Sequence, residues 1–224
     1  MSGHKSIKRI IHRCAEELDA TRRISKVTSF KEGLETFRAK VDIQIMNRNG
    51  YYENESRKKH LLRKHDIMIR YYEKTFGDFL KTYDYNHNNK EIPISEYSDC
   101  IWVCWWQGIE QAPDLVKVCV DSIKRNAGNH RVIILTDDNY KEYVDIPEWV
   151  EEKKNKGIIT RTNYSDLLRL SLLAKHGGMW IDSTFFCTEP VLDSYFKEPL
   201  WSIKRPDYFH ASIASGYFAG YSLA

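Results

Sequence analysis

The stretch that decides the fold is Thr162–Thr188, TNYSDLLRLSLLAKHGGMWIDSTFFCT. It reads as a helix, a glycine turn, a buried strand and then a carboxylate where the strand should end. Asn163 or Ser165 is placed to cap the helix, because a short polar side chain accepts from the free N–H groups of the first turn. Leu167, Leu168, Leu170, Leu172, Leu173 and Ala174 are good helix formers and nearly all apolar, which predicts a mostly buried helix. Lys175 and His176 suit the negative end of the helix dipole, and Gly177-Gly178 stop it, since glycine takes a left-handed cap cheaply. The strand Met179-Trp180-Ile181 follows, with Asp182-Ser183-Thr184 at its end.

Two charges in this element need a use. Asp166 and Arg169 are three apart and share a helix face. Taken alone, they are best read as an ion pair between the helix and a neighbouring loop. The functional alternative is that Asp166, Arg169 and Asp182 converge on a polar ligand at the carboxyl edge of a sheet, where open α/β sheets bind ligands.

Working outward, residues 98 onward keep the same grammar. Cys100–Trp106 (CIWVCWW) is a continuous apolar run, as expected of a buried strand. A helix starts at Pro113, and His130–Thr136 (HRVIILT) is a second buried strand. Tyr140, Tyr143 and Val144 fall in a short helix or turn, and Lys153–Gly157 reads as a loop. The order strand–helix–strand–helix–strand predicts an α/β fold with a mainly parallel sheet. No glycine-rich phosphate loop of dinucleotide or P-loop spacing is present.

Residues 1 to about 95 are helical in character. Ile7, Ile10, Ile11, Cys14 and Leu18 recur at helical spacing. Phe30, Leu34, Phe37 and Val41 mark a second helix, and Leu61 through Phe76 a third, continued by Phe79, Leu80 and Tyr83 after Gly77. The division predicted is 1–95, a basic helical region, and 96–224, an α/β domain. The run Arg57-Lys58-Lys59-His60 with Arg63-Lys64-His65 is the most cationic part. Interspersed acids and the lack of a nucleic-acid motif make it a solvated helix face, with no nucleic-acid partner expected. Docking to an anionic membrane surface is the other use such a face allows.

The bulk properties fit a soluble protein of one or two domains. The chain has 224 residues, 42% hydrophobic and 29% charged, with net charge +3. No apolar run approaches the roughly 20 residues of a membrane span, and the opening segment lacks a signal-peptide core. Five scattered cysteines suit reduced thiols in a cytosol. Cys100 and Cys104 have no second ligand pair at metal spacing and read as small core residues.

An Asp at a sheet edge can hold sugar hydroxyls or a divalent cation, which bridges in turn to a diphosphate. Arg169 can take phosphate bidentately. Trp105 or Trp106, ending the first strand, offers a face for a base, and Trp102 reads as core. These parts describe a nucleotide-diphosphate-sugar pocket.

The blocks IWVCWWQGIEQAPDLVKVCVDSIKRN, VIILTDDNYKEYVDIP and SDLLRLSLLAKHGGMWIDST occur in order over about residues 98–190. Together they resemble the capsular polysaccharide synthesis protein family, related to glycosyltransferase family 32. The shared pattern is S-D-x-x-R followed by G-G-x-[YW]-x-D-x-D.

The resemblance implies a GT-A-like fold and a glycosyltransferase that retains anomeric configuration, moving a hexose from a UDP- or GDP-sugar to a glycan acceptor, lipid-linked in one version. It implies that Asp166, Arg169 and Asp182 carry the chemistry, with Trp105, Trp106, Gly178, Trp180 and Thr184 completing the donor site. It places the protein in the cytoplasm, with peripheral contact at the inner membrane face as an option. It also implies Mn²⁺ or Mg²⁺ on Asp182, weakened because Thr184 stands where the pattern has its second Asp. The close of the chain soon after the donor motif leads to the expectation of a C-terminally shortened domain. The competing reading is a remnant that binds nucleotide or a partner protein without turnover.

Overall fold

A computed structural model describes residues 3–50, 52–83, 95–204, 210–213 and 218–224, with backbone course alone for 3–13. The chain divides into two compact units, Met1–Asn88 with Pro206–Gly216, and Asn89–Arg205 with Tyr217–Ala224. The sequence reading put its single boundary at residue 95/96 and did not foresee a later segment joining the first unit.

The first unit is built on helices α1 (Gly3–Val27), α2 (Phe30–Arg48) and α3 (Glu55–Thr82). Ser29 and Asn54 cap α2 and α3, accepting from the N–H groups of Glu32 and Arg57. Helix α3 runs through Gly77 without a break. The face of α2 differs from the expectation. Phe30, Leu34 and Val41 are exposed, whereas Gly33, Thr36, Ala39 and Met46 are buried. Small residues let α1 and α2 approach closely: a Cβ at Gly33 would run into the Ser25 side chain and the Thr21 carbonyl. A search for large apolar residues misses such a face.

Part of the basic run of α3 is paired within its own unit, through Arg57, His60 and Arg63. Arg63 pairs with Glu32 and Glu35, Arg70 with Glu32, and His60 and Arg57 with Asp42. Among the described residues, no helix is long and apolar enough to cross a membrane.

The second unit is a mixed α/β structure. Its described elements are β1 (Ile101–Cys104), α4 (Asp114–Asn126), β2 (Val132–Leu135), α5 (Glu148–Asn155), α6 (Arg161–His176), β3 (Met179–Ile181) and β4 (Ser222–Leu223). The strand order is β2-β1-β3-β4, with β1 parallel to both β2 and β3, and β4 antiparallel to β3. Ile101 pairs with Val132 on one side and Met179 on the other.

Alternation along the strands separates two cores. Trp102, Ile133, Leu135 and Trp180 pack with Tyr164, Leu168 and Leu172 of α6. Ile101, Val103, Met179 and Ile181 pack with Val116, Val120 and Ile123 of α4. The connection from β1 to β2 thus covers one face and that from β2 to β3 the other.

Two local expectations are corrected. Residues 153–155 belong to α5 rather than a loop; Glu148 and Glu151 lie in its first turn and Lys153 and Lys154 in its last, the arrangement the helix dipole favours. Helix α6 is amphipathic rather than mostly buried, because Leu167 and Leu170 are exposed while Tyr164, Leu168 and Leu172 are buried. Its N-cap is Thr160, which accepts from Asn163 N–H at 3.2 Å, not Asn163 or Ser165.

Candidate functional site

Because β1 sends its chain to β2 on one side and β3 lies on the other, the strand order reverses at β1. The crevice beyond the carboxyl ends of β1 and β3 is therefore the topological switch point, the place where open α/β sheets take ligands. Asp182 is the first residue beyond β3, and Trp105 the first beyond β1.

Helix α6 is capped at Thr160 and stopped at Gly177, which has φ +70°. That length sets Asp166 and Arg169 one turn apart on the helix flank. Arg169 Nη2 lies 3.1 Å from Asp166 Oδ1 and 3.2 Å from Asp182 Oδ1. Its Nη1 donates to the Gly220 carbonyl. The guanidinium stands over the Trp180 ring, 5.1 Å from its centroid, and Trp180 Nε1 donates to Asp182 Oδ1 at 2.7 Å.

Four residues singled out from sequence, Asp166, Arg169, Trp180 and Asp182, thus form one cluster. The expected ion pair to a neighbouring loop takes another form: Asp166 and Arg169 pair with each other within the helix, and Arg169 also reaches the strand-end carboxylate. Arg169 is 11% exposed at its side chain, Asp182 36% and Asp166 59%. A mostly buried cation is held by two carboxylates that both reach solvent, each turning its Oδ1 onto the guanidinium, and the cluster has a formal charge of −1. Among the described residues, Asp182 Oδ2 accepts no hydrogen bond.

Buried donors left without a partner call for an explanation. Arg169 Nε and Trp105 Nε1 are two of them, both belonging to residues singled out for ligand binding. Each costs about 1–3 kcal/mol unless water or a ligand completes it.

Of the other expected site residues, Trp105 follows β1 and Thr184 lies in the turn that Phe185 N–H closes on the Asp182 carbonyl at 2.9 Å. Gly178 is at the amino end of β3, roughly 13 Å from Asp182 at about 3.3 Å per residue. Its φ is +83°, and a Cβ there would sit 2.6 Å from the Cys100 carbonyl oxygen and 2.9 Å from Trp102 Nε1. The glycine is required for strand-to-strand approach. Trp105 packs on the α4 side of the sheet. Trp106 packs on the α6 side, where its ring meets Tyr140 at 5.7 Å and Tyr164 at 5.6 Å. Thr184 is exposed, and its carbonyl lies 3.5 Å from Cys119 Sγ.

Three contributions were missed. The segment ending in β4 braces the site: Asp182 N–H donates to the Tyr221 carbonyl at 2.9 Å, and Gly220 supplies the carbonyl for Arg169. Nothing in its sequence marks a partner for β3. Asp137, just beyond β2, pairs with Arg161 at 2.9 Å. Burial pushes the Cys104 thiol up to about 12, with the negative charges of Asp137 and Asp182 adding to the effect. Each of these strand-end carboxylates is balanced by an arginine, Asp137 by Arg161 and Asp182 by Arg169. The signal available was positional, since an Asp follows each of β2 and β3 within two residues.

Next to these strand ends lies a buried polar knot. The Glu151 carboxylate accepts from Tyr140 at 2.8 Å and from Tyr164, and pairs with Lys154 at 3.0 Å. Burial draws the Glu151 carboxyl upward, but the hydrogen bonds from Tyr164, Lys154 and Tyr140 outweigh it and hold it below its ordinary value. This knot fixes α5 against α6.

The implied Mn²⁺ or Mg²⁺ needs several hard oxygen ligands. Among the described residues, no three His, Cys, Asp or Glu side chains come together as a metal cluster. Asp182 Oδ1 already serves Arg169 and Trp180, and Thr184 is a neutral donor. These residues do not by themselves make a cation site; they offer one carboxylate oxygen, Asp182 Oδ2, and the neutral Thr184 hydroxyl.

Fold and cluster together describe an open α/β protein with a charged side-chain cluster at the carboxyl end of β3. The family model described as capsular polysaccharide synthesis protein matches residues 48–224. The chain belongs to that family, and membership associates it with capsular polysaccharide synthesis. Comparison with curated proteins and with solved structures gives no significant match.

Proposed function

We propose that the second unit is the donor-binding part of a retaining glycosyltransferase of GT-A type, transferring a hexose from a UDP- or GDP-sugar to a glycan acceptor during capsule assembly. The observation that carries this reading is the Asp166–Arg169–Asp182 cluster at the switch point of the sheet. Two carboxylates that reach solvent suit sugar hydroxyls. The guanidinium between them fixes both acceptors and supplies positive potential close to a diphosphate leaving group, whose stabilisation is mainly electrostatic. The family match and the sheet order support the same reading. A divalent cation, if used, rests on Asp182 together with the phosphates of the donor itself. The working place is the cytoplasmic side of the inner membrane, where a lipid-linked acceptor would be met.

A second reading is favoured by one feature. Arg169 is engaged by two carboxylates and a backbone carbonyl before any donor arrives. A site so closed on itself can bind nucleotide, or a partner protein, without turnover. Incubation with UDP- and GDP-hexoses separates the two, because a working donor site releases sugar slowly to water. The transferase reading predicts hexose released with its anomeric configuration retained, abolished by Asp182→Ala in a chain that still folds. Binding with no release under any metal condition would leave the non-catalytic reading.

A further inference from the structure

The first unit holds a cavity of about 420 Å³ that the donor-site reading leaves unused. Three cations border it: Arg23 of α1, Lys40 of α2 and Lys64 of α3. Its wall is apolar, with Ile24, Met68 and Ile213 among the residues that face it. The three cations are not equally compensated. Arg23 pairs with Asp19, and Lys40 pairs with Glu17. Lys64 forms no ion pair among the described residues; its ammonium reaches the Ala211 carbonyl at 3.4 Å. Burial, and then the charge of Lys40, push the Lys64 amine below its ordinary value, with Glu17 opposing in part. Lys40 has Glu17 as its counter-charge, so the uncompensated cation is Lys64, and an anion beside it relieves both its burial and its repulsion from Lys40.

We propose that this cavity binds a phosphate monoester carried on an aliphatic chain, with the phosphate between Lys64 and Lys40 and the chain along Ile24, Met68 and Ile213. A phosphate monoester brings nearly two negative charges and three strong acceptor oxygens, which suits an ammonium with free donors next to a second one. The cavity is far larger than a phosphate ion needs, and its wall gives a hydrocarbon chain a surface on which to leave water. The site is separate from the donor cluster and does not depend on how that cluster works.

The test is calorimetric titration of the full chain with monomeric octyl phosphate, with inorganic phosphate and with octyl glucoside. Octyl phosphate is expected to bind, with inorganic phosphate weaker by about tenfold or more because it lacks the chain. Lys64→Met keeps the apolar stem and removes the charge, so it should weaken octyl phosphate by about tenfold. Lys64→Arg should restore most of the affinity. Helical circular dichroism checks that both variants are folded. Co-sedimentation with vesicles containing phosphatidic acid distinguishes a membrane headgroup from a soluble ester: Lys64-dependent binding names the headgroup, its absence names the soluble ester, and both presuppose the octyl phosphate result. Octyl glucoside binding as tightly as octyl phosphate, unchanged affinity in folded Lys64→Met, or no octyl phosphate binding at millimolar concentration overturns the proposal.

Discussion

Replacing Gly178 with alanine should damage the fold of the second unit without touching its ligand site. Two separate costs apply. The backbone at φ +83° is left-handed, which costs an L-residue about 1–2 kcal/mol. The new Cβ would also lie 2.6 Å from the Cys100 carbonyl and 3.0 Å from the Tyr97 carbonyl. Those are backbone atoms of the β1 approach and cannot swing aside, so overpacking adds about 1–3 kcal/mol. The sum is about 2–5 kcal/mol. Gly108→Ala is the internal control, because its φ is +80° but no atom lies within 4 Å of the added Cβ; it should lose only the first part, about 1–2 kcal/mol. All six tryptophans lie between residues 102 and 201, so denaturant unfolding followed by tryptophan fluorescence reports on the second unit alone. Equal losses in the two variants would refute the close approach of Gly178 to β1. A stable Gly178→Ala that no longer binds nucleotide would make Gly178 a ligand residue after all.

Three further outcomes follow from the same contacts. Glu151 has its folded pKa below its unfolded value near 4.5, so its contribution is complete above that value and is lost as pH falls through the lower one. The fluorescence-detected stability of the wild type should therefore drop more steeply below pH 4.5 than that of Glu151→Gln, which should already be about 1.5–3 kcal/mol less stable at pH 7; parallel curves would contradict the polar knot. Cys14 is exposed, Cys100, Cys119 and Cys187 are buried, and the Cys104 thiol is held up to about 12. One thiol equivalent should react quickly with a disulfide reagent in the native chain, and that equivalent should vanish in Cys14→Ser; fast reaction at Cys104 would mean that its thiol is not withdrawn from water. Arg169→Met should lower the stability of the second unit by about 1–3 kcal/mol, since it removes the cation and hydrogen bonds shared by two partly solvated carboxylates. Asp166→Asn, at a 59% exposed side chain, should cost under about 1 kcal/mol; equal effects would mean that the guanidinium is not the centre of the cluster.

The parallel sheet was legible because its strands are continuous apolar runs bounded by glycine and polar turns. The Asp166–Arg169–Asp182 cluster was legible because helix spacing and a strand end are short-range rules, and Gly177-Gly178 fixes the register between them. What closes the site was not legible. The pairing of β4 with β3 joins residues some 40 positions apart in sequence through backbone groups, which carry no side-chain signature. The face of α2 was misjudged for a related reason: Gly33 and Ala39 are buried by helix approach rather than by their own hydrophobicity. Trp105 and Trp106 were indistinguishable as adjacent aromatics, and only strand alternation sends one to each side of the sheet.

The measurement that bears most directly on the proposed donor site is calorimetric titration of the purified chain with UDP and GDP, with and without Mn²⁺, beside the Asp182→Ala variant. The account predicts binding of one nucleotide per chain, strengthened by a bound sugar and lost in Asp182→Ala. No binding of either nucleotide by a chain shown to be folded, or binding indifferent to Asp182, would contradict it.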